Sequence, residues 1–116
     1  LEENLNFLSR LEEIVLLAIL KLKNNAYGVS IRHQIFIDSG KYWSFASIYQ
    51  PLDKLKEKGF VEKRKGSSTP ERGGKSKYYY QVTPQGILAL QELRQMHNSF
   101  WGDVPFNIFD MSTEEE

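Results

Sequence analysis

A mainly α chain with a single β-hairpin is the fold class this sequence predicts, and three observations predict it. Apolar residues follow helical spacing in three successive segments before Gly59. The pattern then changes to alternation on either side of a turn-rich basic stretch, and Thr83-Pro84 opens a final helical period. Three helices, a hairpin and a closing helix, in that order, make a winged helix-turn-helix.

The first helix is read between Leu5 and Leu22, where Leu8, Leu11, Val15, Ala18 and Leu22 follow one face and the run Ile14 to Leu20 then closes round the axis. A helix apolar on all sides needs cover on two of them, and a domain this small covers one, so a second subunit is expected on the other. Asn24 to Gly28 reads as a stop and a turn. A second helix spans about Val29 to Ser39, with Ile31 and Ile35 inward and Gly40 closing it. The third begins at the N-cap Ser44 and runs to Lys58, with Gly59 as its stop. Its inner face is Phe45, Ile48, Leu52 and Leu55. Its outer face is Ala46, Ser47, Tyr49, Gln50, Asp53, Lys54 and Glu57. Pro51 lies inside this helix and is expected to bend it or to leave the Ser47 carbonyl without its donor.

Phe60 to Lys65 and Ser76 to Val82 form the hairpin strands, joined by a polar, basic tip from Gly66 to Gly74. The last helix is capped by Thr83 and carries Ile87, Leu88, Leu90, Leu93 and Met96. The division expected is a winged-helix domain over residues 5–99, dimerising through its first and last helices, and an aromatic then acidic tail over 100–116 that drapes on a surface. The longest unbroken apolar run, Ile14 to Leu20, falls far short of the ~18 residues that span a bilayer, and no signal-peptide pattern opens the chain. Without cysteine there is no disulfide framework and no thiol chemistry, so a cytoplasmic location is the default expectation.

A formal charge of zero conceals a segregated distribution. Residues 41 to 82 hold ten cations against four anions, and residues 83 to 116 hold one cation against six anions. The first forty residues carry four cations and five anions. Such a field draws a polyanion to the middle of the chain. The third helix supplies the matching chemistry, because a helix enters the major groove only with small residues for close approach and hydrogen-bonding residues for base edges. Ala46, Ser47, Tyr49 and Gln50 meet that requirement, with the cap Ser44 and Lys54 beside them. Lys63, Lys65, Arg72, Lys75 and Lys77 on the hairpin suit the phosphate backbone. The alternative reading is an ordinary solvated face, or a winged-helix interaction module whose basic face meets an acidic partner protein.

Catalysis has no matching constellation. His33 and His97 lack a His, Cys or carboxylate at ligand spacing on their own helices, and Ser44, Ser47 and Ser68 sit in no nucleophile motif. Gly73-Gly74-Lys75 lacks the strand-to-helix setting of a nucleotide loop. The expectation is no enzyme, no metal and no cofactor, and nothing in the sequence specifies a small-molecule inducer. Of Tyr78, Tyr79 and Tyr80, one or two are expected in packing, and Trp43 is read as a packing residue before a stacking one.

Several segments together resemble one family. Ala26-Tyr27-Gly28-Val29, then Ala46-Ser47-Ile48-Tyr49 with Leu52-Asp53-Lys54-Leu55 and Lys58-Gly59, are similar to PadR-type regulators. So are Thr69-Pro70-Glu71-Arg72-Gly73-Gly74-Lys75, Tyr78-Tyr79-Tyr80 and Thr83-Pro84-Gln85-Gly86, and the likeness covers about residues 8 to 95. It implies a cytoplasmic dimer, usually a repressor, on an operator with two half-sites, with Tyr27 and Tyr49 near phosphate and the Gly-Gly wing on the backbone. Many members have Tyr-Pro early in the third helix, whereas Tyr49-Gln50-Pro51 displaces the bend here. Larger members append a long C-terminal helical domain, so this chain resembles the short form. The expected dimer contact comprises Leu8, Leu11, Val15, Leu16, Ile19 and Leu20 with Leu90, Leu93, Phe100 and Trp101.

Overall fold

The computed structural model describes residues 8–68 and 76–108. Helix α1 (Arg10–Leu22) starts at Ser9, whose hydroxyl accepts from the Glu12 amide at 3.1 Å while the Glu12 carboxylate accepts from the Ser9 amide at 2.8 Å. This reciprocal cap sets the helix start five residues later than the apolar pattern suggested. A short 3-10 turn (Lys23–Asn25) leads into α2 (Gly28–Ser39), which ends on Gly40 in the left-handed region at φ 78°. Helix α3 (Phe45–Glu57) is capped by Ser44, and Gly59 at φ 80° turns the chain into β1 (Val61–Ser68). Pro51 is buried and the helix runs through it. Strand β2 (Ser76–Val82) pairs antiparallel with β1, matching Val61 to Val82 and Lys63 to Tyr80, and α4 (Pro84–Trp101) follows.

The core is the meeting of α1, α2 and α3. Val15, Leu16 and Ile19 pack with Ile31, Ile35, Ile48, Leu52 and Leu55, and the hairpin closes the bundle with Phe60, Val61 and Tyr80. The Tyr80 amide donates to the Ala26 carbonyl at 2.8 Å and fixes β2 to the segment before α2, while the Thr83 amide donates to the Phe60 carbonyl at 3.0 Å and closes the base of the hairpin. Glu12 adds a polar tie. Its carboxylate is buried and takes the Lys58 ammonium at 2.8 Å, so the start of α1 is clamped to the end of α3.

Burial corrects several expectations. Val15, Leu16, Ile19 and Leu8 belong to the chain's own core, leaving none of them for a partner. Because consecutive apolar residues wrap a helix, sequence alone did not tell the inner half of α1 from the outer. The outer half is Leu11, Leu17 and Leu20, all exposed. Phe45, expected inward, is 41% exposed, because the first residue of α3 projects beyond the end of the core. Phe100 and Trp101 are the last two residues of α4 rather than the start of a tail, and both are exposed. Beyond them the chain turns at the helix end, where the Val104 amide donates to the Trp101 carbonyl at 2.9 Å, and Phe106 is exposed among the described residues. In α4, Gly86 is fully buried, Leu90 and Leu93 half-buried against the core, and Ile87 and Leu88 open to solvent.

Candidate nucleic-acid interface

The cap of α3 defines one end of the site. Ser44 Oγ accepts from the Ser47 amide at 3.1 Å and shares a 2.9 Å hydrogen bond with Ser47 Oγ. Both hydroxyls are therefore engaged in holding the helix start, and Ser47, expected to face base edges, is half-buried. Ala46, Tyr49, Gln50 and Lys54 remain exposed. Tyr49 is anchored from below: a Cβ built on Gly28 would overlap its hydroxyl oxygen and lie 2.9 Å from its Cζ. The absent side chain at Gly28 thus lets the first turn of α2 take the phenol.

Tyr27, immediately before α2, is half-buried between the helices and the hairpin. Its amide donates to Ser30 Oγ at 2.9 Å, and its ring takes Lys77 Nζ at 4.0 Å on the face and Tyr79 edge-on at 5.6 Å. The ring is therefore also a fixture for β2, a role its sequence context did not signal. Lys63 lies over Tyr78 at 4.5 Å and Arg64 over Tyr79 at 5.1 Å, so cation and aromatic side chains brace each other along the hairpin. The three tyrosines divide: Tyr80 is core, Tyr79 half-buried and Tyr78 exposed.

These elements enclose a recess of about 390 Å³ whose walls include Tyr27, Gly28, Tyr49, Asp53, Lys63 and Lys77. Two ammonium groups face one carboxylate there, and the first turn of α2, whose amides have no acceptor within the helix, opens onto the same space. A space of that size with two lysines and helix N-terminal amides on its walls has the chemistry that suits an anion such as phosphate. Burial pushes the Tyr80 phenol at the bottom up to about 12, with Tyr49 and Asp53 adding to the effect, so it stays a neutral hydroxyl at any physiological pH. Lys65 is exposed on β1 outside the recess, while Arg72 and Lys75 lie outside the described residues. Among the described residues no group of three or more His, Cys, Asp or Glu is placed to hold a metal ion.

A model of the PadR-like family of transcriptional regulators matches residues 16–92, a span from mid-α1 through the hairpin into α4. The chain belongs to that family. It is a DNA-binding transcriptional regulator, not an enzyme. Solved structures agree on the fold. A transcriptional regulator from Clostridium thermocellum superposes with a TM-score of 0.66 at 19% identity, covering 78% of this chain and 85% of that one. A PadR family regulator from Eggerthella lenta gives 0.63 at 22%, covering 78% and 77%. One from Clostridium difficile gives 0.59 at 22%, covering 80% and 92%. No curated protein matches the sequence.

The PadR-like chain also carries site features that its sequence did not announce. Arg32 of α2 donates from Nε to the Trp43 carbonyl at 2.6 Å and places its guanidinium 4.6 Å from the Tyr42 ring and 4.7 Å from the Phe45 ring. Tyr42 stacks in turn on Phe36 at 4.1 Å, and Trp43 is half-buried against the core. The only hint in the sequence was three aromatics, Tyr42, Trp43 and Phe45, clustered round the Ser44 cap. On the opposite side, α1 and α4 bound an apolar groove of about 400 Å³ lined by Leu17, Leu20, Ile87 and Leu90, with Glu13, Arg94 and His97 at its polar edge. His97 Nε2 stands 3.3 Å from the Glu13 carboxylate, a partner supplied by another helix and so invisible to helical spacing. None of the described helices is long and apolar enough to cross a membrane.

Proposed function

We propose that this PadR-like chain acts in the cytoplasm as a homodimeric repressor of transcription on a palindromic operator. One observation carries the reading of the interface: a well-capped helix presents Ala46, Tyr49 and Gln50 to solvent beside a hairpin bearing Lys63, Lys65 and Lys77. Helix α3 enters the major groove with Gln50 and Ala46 at base edges, and Tyr49 and Tyr27 stand at the recess that takes a backbone phosphate. Lys54, Lys63, Lys65 and Lys77, with Arg72 and Lys75 at the wing tip, position the duplex.

The dimer is supported by exposed apolar side chains on α1 and α4. Leu17 and Leu20 of α1 and Ile87 of α4 line the same groove, Leu11 and Leu88 are exposed on those helices, and Phe100 and Trp101 add exposed apolar surface at the end of α4. An isologous contact setting α1 of each subunit against α4 of the other buries them all. It also sets two copies of α3 about 34 Å apart, one DNA turn, as a palindrome requires. Repression by the bound dimer is the mode of action that the family resemblance implies.

The test combines selection of bound duplexes from a random pool with sedimentation. Wild type is expected to select a two-fold symmetric sequence and to sediment as a dimer at micromolar concentration. Leu20→Glu, on the exposed half of α1, is expected to remain folded by circular dichroism, sediment as a monomer and bind a single half-site weakly. A wild type that sediments as a monomer, or a selected sequence without symmetry, overturns the dimeric reading.

A further inference from the structure

We propose that Phe45 is a specificity-determining residue of the DNA interface, its ring reading the C5-methyl group of a thymine in the major groove. The inference rests on the reading of α3 as the groove-entering helix and names what one position of that helix recognises. An amphipathic pattern assigned Phe45 to the core, yet its ring is 41% exposed at the first position of α3. Residues at the N-terminal end of a groove-entering helix are the ones that meet base edges. Phe45 shares that end with Ala46, and Tyr49 and Gln50 follow one turn later, all four open to solvent.

Exposure alone does not make a reader, since a loose phenyl ring gains little from one methyl group. This ring is held on two sides. The Arg32 guanidinium sits 4.7 Å from its centroid, and the Tyr49 ring lies alongside at 6.3 Å with the planes 26° apart. Arg32 is itself fixed by its 2.6 Å bond to the Trp43 carbonyl and by Tyr42, which stacks on Phe36. The row of Phe36, Tyr42, Arg32 and Phe45 therefore presents a preorganised apolar edge where a helix start meets DNA. Of the groups on the major-groove edges of the four base pairs, the thymine methyl is the one an apolar side chain contacts favourably. A phenyl ring offers no hydrogen bond to the N7, O6, N4 or N6 positions of the other bases. Contact with them strips water from those groups without replacement.

The experiment replaces each thymine of the duplex selected by wild type with uracil, one at a time, and measures binding by fluorescence anisotropy. Uracil differs only by the missing C5-methyl. At one thymine in each half-site the replacement is expected to weaken wild-type binding about fourfold, the effect of exposing roughly one methyl group. Phe45→Ala is expected to bind thymine and uracil equally at that position while keeping every other positional preference, and Phe45→Leu to retain part of the difference. Circular dichroism accompanies both variants; Leu keeps the test open should Ala perturb the helix start. Phe45→Ala retaining the full thymine-uracil difference overturns the proposal, as does a wild type indifferent to uracil at every position. Wild type selecting no sequence at all overturns the DNA-readout reading beneath it, a separate result.

Discussion

Two glycines in this chain are tight for different reasons, and replacing each with alanine separates the DNA interface from the fold. At Gly86 an added Cβ would overlap the Phe60 carbonyl oxygen and lie 2.8 Å from Val82 Cγ1 and 3.2 Å from the Phe60 carbonyl carbon. Two of those three atoms are backbone, pinned by the bond from the Thr83 amide to the Phe60 carbonyl and by the Thr83 hydroxyl donating to the Gly59 carbonyl at 2.7 Å. They cannot give way. Overpacking of this kind costs about 1–3 kcal/mol, and alanine recovers at most about 1 kcal/mol in helix propensity. Gly86→Ala is therefore expected to lose about 1–2 kcal/mol. At Gly28 the obstructing atoms are the hydroxyl and Cζ of Tyr49, the far end of a half-exposed side chain. The phenol can swing out, at about 1 kcal/mol for an unfavourable rotamer, which the helix-propensity gain offsets. Gly28→Ala is therefore expected to be near neutral in stability while displacing Tyr49 from the recess, weakening binding to every duplex about fivefold as one hydrogen bond of roughly 1 kcal/mol is lost. Urea denaturation followed by circular dichroism reads the first quantity and anisotropy the second. Refutation is the reversed pattern: a stable Gly86→Ala, or a Gly28→Ala that binds DNA as wild type does.

Lys63→Met and Lys77→Met are each expected to weaken binding on all sequences alike, lowering the slope of log affinity against log salt by about 0.9 for the phosphate contact removed; an unchanged slope places the lysine off the backbone. Glu12→Ala opens the Ser9 cap and removes the buried carboxylate that takes the Lys58 ammonium, and is expected to cost about 3 kcal/mol by denaturant titration, the low end for a broken buried pair because Lys58 is partly exposed. Tyr80 has a folded-state value of about 12 against an ordinary 10.0, so the folded chain holds this proton more tightly than the unfolded one. Its contribution is complete below pH 10 and is lost as the pH rises towards 12, roughly 3 kcal/mol in all. Tyr80→Phe is expected to flatten that part of the stability profile, and equal alkaline slopes in the two proteins refute the assignment. Asp38 titrates the other way: the hydrogen bond from Lys21 at 2.8 Å holds its carboxyl below the usual value, with Gln34 assisting. Its stabilisation is present above the ordinary carboxylate range and lost as the pH falls through the lowered value, so Asp38→Asn is expected to reduce the acid-side slope.

The order of elements was legible in the sequence because each boundary carries a local chemical signal. Ser44 and Thr83 cap helices through bonds to residues three positions away, and Gly40 and Gly59 stop helices by occupying a backbone region that is costly for residues with a Cβ. The switch from period 3.6 to alternation after Gly59 is a local property too, as is the exposed face of α3 with Ala46, Tyr49 and Gln50. What depends on distant partners was not legible. The inner side of α1 is chosen by α2 and α3, so Val15, Leu16 and Ile19 became core while Leu11, Leu17 and Leu20 stayed outside. Glu12 is buried because Lys58, 46 residues on, reaches it. Arg32 meets Phe45, and Gly28 meets Tyr49, only when α2 lies across α3. Caps, turns and periodicity act over three or four residues and are written in a sequence in order; ion pairs, ring contacts and the choice of a buried face arise where packing joins segments that the sequence holds apart.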